Sequence, residues 1–306
     1  MTNEPYQPNP DLLAFAKQGR NSYRSMISKA GTPDPVADVF DIEIAANDPE
    51  RTLQARVYVP LPAAEGQPLP VVLFMHGGGF IAGDLDTHDV MIRALANRSG
   101  ALVVSLNYRL APEAPFPAGL DDTFTALEWL ASYAGQLGGD PQRITVCGDS
   151  AGGNLAAAAC LRARERGGPR IAGQVLFYAN VDGNGETQSW QALADTYFPT
   201  RDAMALTFNC YVPGSPERRR DPLVAPLRAQ LHALPPALVI TAALDPLKDE
   251  GLAYAEKLRQ AGVDAQYTLY PDVEHGFVQF FKEPRNQAMG ERALDEAAAF
   301  IQGLGT

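Results

Sequence analysis

The chain has 306 residues, 46% hydrophobic and 20% charged, which is the profile of a soluble globular protein with a sizeable core. Acids outnumber bases, 36 Asp and Glu against 25 Lys and Arg, for a formal charge of −11. That balance supplies neither the basic patch that nucleic acid requires nor an attraction to anionic membranes. The single dense basic run, Arg218 to Arg220, is short, is followed by Asp221 and reads as a solvated loop.

In chain order, the opening MTNEPYQPNPDLLAF has no basic lead and no apolar core, so no secretory signal is expected. No apolar run approaches the length of a membrane span. Residues 1–37 are polar, proline-containing and helical in pattern. The runs 39–46 and 52–60 alternate between apolar and polar and are expected to pair as a hairpin. Near-continuous apolar runs then follow at 71–76, 101–108, 143–148, 173–180, 237–243 and 265–271, and helical patterns separate them at 87–98, 119–136, 151–167, 248–262 and 289–303. This alternation predicts an α/β fold, a doubly wound and mostly parallel eight-stranded sheet with helices on both faces. Residues 181–226 break the alternation between two core strands and carry Trp190, Tyr197, Phe198, Phe208 and Tyr211. An insertion of that length reads as a lid or binding segment, against the plainer alternative of a peripheral helical decoration. The three cysteines (Cys147, Cys160, Cys210) are scattered and apolar in context, so they read as buried thiols in a reducing, cytoplasmic compartment rather than as a disulfide framework.

Within the run RITVCGDSAGGNLAAAAC, Gly148 to Gly152 spell G-x-S-x-G between a strand and an alanine-rich helix. A sharp strand-to-helix turn of this kind exposes the Ser150 hydroxyl at the sheet's carboxyl edge and aims the Ala151 N–H where an oxyanion would form. A serine nucleophile needs a base, and of four histidines only His232 and His275 lie downstream. His232 precedes the strand that should deliver the acid, so the order Ser…Asp…His selects His275. Asp245 directly follows the apolar run ALVITAAL and is the expected acid, ahead of Asp249, Glu250, Asp272 and Glu274. Asp249 and Glu250 read instead as residues favoured by a helix N-terminus. His76, Gly77, Gly78 and Gly79 end a buried strand, and three consecutive glycines let backbone N–H groups converge on one point, the other half of an oxyanion hole.

The motifs HGGGF (76–80), YRLAPE (108–113), GDSAGGN (148–154), DPLKDEG (245–251) and HGF (275–277) together resemble the bacterial hormone-sensitive-lipase-like (family IV) carboxylesterases, in order and rough spacing, over nearly the whole chain. The resemblance implies an α/β-hydrolase core at 38–180 and 227–306, with a helical cap from 1–37 and 181–226. It implies cofactor-free hydrolysis of carboxylic esters, with Ser150, Asp245 and His275 as triad. Oxyanion donors would come from Gly78, Gly79 and Ala151, with Gly77 supporting the turn. The chain departs from the family pattern at Thr207, Asn209 and Leu244, where relatives often carry larger aromatics, positions that bear on acyl preference.

The outlying motifs have structural readings. Arg109, Glu113, Asp121 and Asp122 are expected to form one ion network behind the serine. The irregular cluster Asp84, Asp86, His88 and Asp89 fits helix capping by Asp86 or Thr87 better than a metal site. HGGGF lacks the Lys-Ser/Thr tail of a phosphate loop. The expected partner is therefore a small-molecule ester, of short to medium acyl chain, with no metal, cofactor, nucleic acid or stable membrane association. Two rivals share the scaffold: an amidase or peptidase with the same triad, and a ligand-binding receptor. The last strand, AQYTLYP, is a candidate edge for homodimerisation.

Overall fold

The computed structural model describes residues 6–46, 51–62, 66–183, 185–214 and 216–304. Eight strands, β1 (Asp38–Ala45), β2 (Thr52–Val59), β3 (Leu69–Met75), β4 (Leu102–Leu106), β5 (Gly139–Asp149), β6 (Gly173–Phe177), β7 (Ala237–Leu244) and β8 (Ala265–Glu274), form one sheet in the order β1-β2-β4-β3-β5-β6-β7-β8. The expected hairpin is present: β1 pairs antiparallel with β2, which pairs antiparallel with β4, and every later pairing is parallel.

The crossovers are α2 (Asp89–Ser99), α3 (Ala118–Tyr133), α4 (Ala151–Arg166), α7 (Lys248–Gln260) and α8 (Gln287–Gly303). The two-residue period of the strands sorts the core into two layers. Val72 and Phe74 of β3 face Met91 and Leu95 of α2 and Leu294 and Ala297 of α8, while Val71, Leu73 and Met75 face Leu127 of α3 and Leu155 of α4. All of these side chains are fully or almost fully buried. No helix among the described residues is long and apolar enough to cross a membrane.

The two segments outside the alternation lie together. Helix α1 (Pro10–Ser25), with Asn9 as its N-cap, packs on α6 (Arg201–Tyr211), and the short α5 (Gln188–Leu193) rests near α7. Residues 1–5 of the N-terminal segment, and 184 and 215 of the insertion, lie outside the described residues. Arg20 of α1 reaches the Ile81 carbonyl (2.8 Å) and Glu113 (2.6 Å), tying this helix to the loop after β3.

Several outlying expectations change. The proposed single ion network is three separate attachments: Arg109 and Arg51 on the buried Asp122, Arg162 on Asp121, and Arg20 on Glu113. Neither Asp86 nor Thr87 caps α2. Its N-cap residue is His88, without a side-chain cap bond: the Thr87 hydroxyl is engaged with the Asp84 backbone and His88 Nδ1, Asp84 Oδ1 accepts the Asp86 and Thr87 N–H groups, and Asp86 turns outward to Arg24 and Arg56. The run Arg218 to Arg220 is a 3-10 turn rather than a wholly solvated loop, because Arg219 docks across the Phe208 ring and bonds Asn209 at 2.7 Å.

Candidate active site

Four strand ends converge on one edge of the sheet, as parallel strands wound in both directions require: β3 delivers the glycine loop, β5 Ser150, β7 Asp245 and β8 His275. The turn after β5 is sharp. Ser150 has φ 54° and ψ −116°, left-handed territory that an L-residue occupies only when its surroundings hold it there. Those surroundings are the Ser150 N–H on the Phe177 carbonyl (2.9 Å) and the Ser150 carbonyl accepting from Asn154 (3.1 Å) and Asn180 (3.2 Å). Gly152 has to be glycine, since a Cβ there would sit 1.9 Å from the Met75 carbonyl oxygen.

The structure brings the three expected side chains together. Ser150 Oγ lies 2.9 Å from His275 Nε2, and His275 Nδ1 lies 2.7 Å from Asp245 Oδ2. Asp245 is fully buried, and its second oxygen accepts the Leu247 N–H at 2.8 Å. β8 runs three residues beyond the expected end, to Glu274, with a register shift against β7 and Asp272 at φ 58°, and this extension places His275 beside β7's end. The competing acids are elsewhere: Asp249 accepts the Ser189 N–H (2.7 Å) and Glu274 pairs with Arg285.

The glycine loop is also divided in its tasks. The Gly77 N–H is donated to Asp149 Oδ1 at 2.7 Å, which leaves it as the member that supports the turn. Gly78 and Gly79, at φ 117° and 63°, and Ala151 at the start of α4 have no protein acceptor for their N–H groups outside regular helix or strand bonding among the described residues. Thr207 of α6 closes over this loop, so close that a Cβ on Gly79 would lie 3.0 Å from its methyl group.

Beneath the loop is a buried polar group that sequence reasoning missed. Asp149 is held by Gly77 and approached to 3.1 Å by His88 Nε2. Burial alone would raise its pKa, but His88 and the Gly77 N–H outweigh burial and hold it below the ordinary carboxylate range. His76 stacks on Tyr108 (ring centroids 4.3 Å apart), and burial, with His88 nearby, pushes its pKa down to about 4, so it is neutral at pH 7. Asp149 beside the serine, His88 in its acidic cluster and the HGGG loop were each visible in the sequence; nothing local linked them.

Glu250 is the second missed residue. It is not a solvated helix-start acid but fully buried, and it accepts from the N–H groups of Val181 (2.7 Å) and Asp182 (3.2 Å), from Asn180 Nδ2 (3.1 Å), and weakly from Trp190 Nε1 (3.4 Å). It thereby joins the loop that bonds Ser150 to the aromatic insertion. Burial pushes its pKa up to about 8, with the Asp182 and Val181 N–H groups opposing. Among the described residues no three His, Cys, Asp or Glu side chains are placed to hold a metal together.

Residues 72–279 match the protein family described as alpha/beta hydrolase fold. The chain is 41% identical to carboxylesterase NlhH of Mycobacterium tuberculosis over 270 residues, 87% of this chain and 84% of that one. It is 36% identical to an ethyl acetate hydrolase of Pseudomonas putida, over 86% of this chain and 82% of that one. Among solved structures, an esterase of Pyrobaculum calidifontis superposes with a TM-score of 0.86 at 40% identity, covering 95% of this chain and 93% of the other.

Proposed function

The chain belongs to the hormone-sensitive-lipase-like branch of the α/β hydrolases, and from that premise we propose that it is a serine carboxylesterase acting on short- to medium-chain acyl esters through an acyl-enzyme on Ser150. The observation that carries this reading is the unbroken relay from Ser150 Oγ to His275 (2.9 Å) to Asp245 (2.7 Å), set beside unclaimed N–H groups. His275 Nε2 takes the hydroxyl proton as Oγ attacks the ester carbonyl. The oxyanion is met by the N–H groups of Gly78, Gly79 and Ala151; loss of one donor of this kind costs roughly 2.7–4 kcal/mol of barrier. The imidazolium, steadied by Asp245, protonates the departing alkoxide, and water then repeats the sequence on the acyl-enzyme.

Residues 1–37 and 181–226 act in this reading as a cap over the site. Thr207 above the glycine loop and Phe198 beside His275 are what support that role, and a cap limits the acyl chain that can be enclosed. Hydrolysis of p-nitrophenyl esters from acetate to dodecanoate by the native chain and by Ser150→Ala tests the whole proposal. Activity should fall at long chain lengths and drop by several orders of magnitude in the variant. Rates that climb out to long-chain emulsions would remove the chain-length part, and hydrolysis of amides but not esters would remove the esterase reading.

Two further assignments go with it. All three cysteines are free and buried, which suits a reducing cytoplasm, and cell fractionation would check that location. β8 is a sheet edge with Leu269 44% exposed, a surface suited to pairing with a second copy; light scattering at the single-chain mass of 32.9 kDa would refute a dimer.

A further inference from the structure

Phe198 is 59% exposed, the most of any large apolar side chain among the described residues, although it lies in the insertion that approaches the site. Its ring centroid is 5.6 Å from that of His275 at an interplanar angle of 59°. Tyr178, fully buried, also lies against this imidazole, with its ring centroid 4.8 Å away. Of the two aromatic neighbours of the base, one is therefore packed into the core and the other keeps an open surface.

Stereochemistry decides which part of a substrate meets that ring. In the tetrahedral adduct the former carbonyl carbon bears Ser150 Oγ, the oxyanion, the leaving oxygen and the acyl carbon. The oxyanion points to the glycine loop. The leaving oxygen has to reach His275 Nε2 to receive its proton as the carbon–oxygen bond breaks, and the released product is the neutral alcohol. The acyl carbon occupies the remaining direction. The group attached to the leaving oxygen thus comes to rest against the accessible neighbour of His275.

We propose that Phe198 is the platform for the alcohol half of the ester, and that it biases the enzyme toward esters of aromatic alcohols. The proposal rests on the esterase reading above. An exposed phenyl ring offers a planar alcohol both apolar contact and offset or edge-to-face ring packing, whereas methyl or ethyl groups cover little of it.

The test compares phenyl acetate with ethyl acetate, for the native chain, Phe198→Ala, Phe198→Trp and the nearby exposed control Leu206→Ala. Both esters give the same acetyl group on Ser150, so the quotient of their kcat/KM values, corrected by the same quotient for alkaline hydrolysis, reads the alcohol side alone. Phe198→Ala should lower that quotient about three- to tenfold, the worth of one aromatic pair, while Phe198→Trp keeps it and Leu206→Ala does not move it. A quotient unchanged in Phe198→Ala, or a loss that instead follows acyl length at constant alcohol, overturns the proposal. If the native chain hydrolyses neither ester, the esterase reading itself has failed; if it hydrolyses both and the quotient ignores Phe198, only the platform has.

Discussion

Asp245→Asn is the substitution whose outcome the geometry prescribes most closely. The side chain is fully buried and has two assigned partners, the Leu247 N–H on Oδ1 at 2.8 Å and His275 Nδ1 on Oδ2 at 2.7 Å. An asparagine there is nearly isosteric but has one acceptor oxygen. The backbone N–H of Leu247 cannot turn away, so the amide oxygen must serve it, or a buried donor goes unpaired at roughly 1–3 kcal/mol. The amide nitrogen then faces Nδ1, which is forced to accept, and the ring proton moves to Nε2. Nε2 now points its hydrogen at Ser150 Oγ and cannot take the proton. A loss on the order of 10⁴ in kcat is expected, about 5.4 kcal/mol of barrier, with KM little changed. Folding should be nearly unaffected, because volume and both hydrogen bonds survive, one with its direction reversed. Steady-state kinetics on p-nitrophenyl butyrate, with thermal melts of both proteins, read the two quantities separately. Asp272→Asn and Glu274→Gln serve as controls and should stay within about twofold, since Glu274 is spent on Arg285. Activity of Asp245→Asn within tenfold of native, or an equal collapse in Glu274→Gln, would refute the reasoning.

Two other expectations are open to direct measurement. Glu250 sits at about pKa 8 in the fold, against roughly 4.3 in an unfolded chain, so folding retains its proton where unfolding releases it. That contribution to stability is complete below about pH 4.3 and is lost as pH rises to 8, by up to ~1.4 kcal/mol per pH unit. Glu250→Gln mimics the protonated acid, so urea midpoints from pH 5 to 8 should flatten relative to native; parallel curves would discard the assignment. Gly79→Ala places a Cβ 3.0 Å from the Thr207 methyl at φ 63°, which adds ~1–2 kcal/mol of backbone strain and displaces the N–H proposed as an oxyanion donor. If Gly79 serves as proposed in the oxyanion hole, its kcat should fall on the order of 10²-fold, and adding Thr207→Ala should restore part of it; a double variant no better than the single would rule out the contact.

What the sequence determined by itself is whatever short-range pattern encodes. The near-continuous apolar runs at 71–76 and 143–148 specify strands buried on both faces, and the glycine-fenced Ser150 specifies its own turn, because only that backbone tolerates the close approach to Met75. Chain order alone pointed to Asp245 and His275, the two side chains the structure sets in line with Ser150, since each follows directly on a strand and every parallel strand of this sheet ends at the same edge. What only the tertiary structure decided are the pairings between segments that carry no local mark of each other. Glu250 begins a helix as a solvated acid would, and becomes a buried acceptor only because the loop at 180–182 closes over it. The glutamate and arginine of YRLAPE separate onto different partners once α1 arrives to claim Glu113. Phe198 is one aromatic among five in the insertion until folding sets it beside His275. Local propensity acts over a few residues, whereas burial and charge pairing depend on which distant elements meet, and that is settled by the packing of the whole chain.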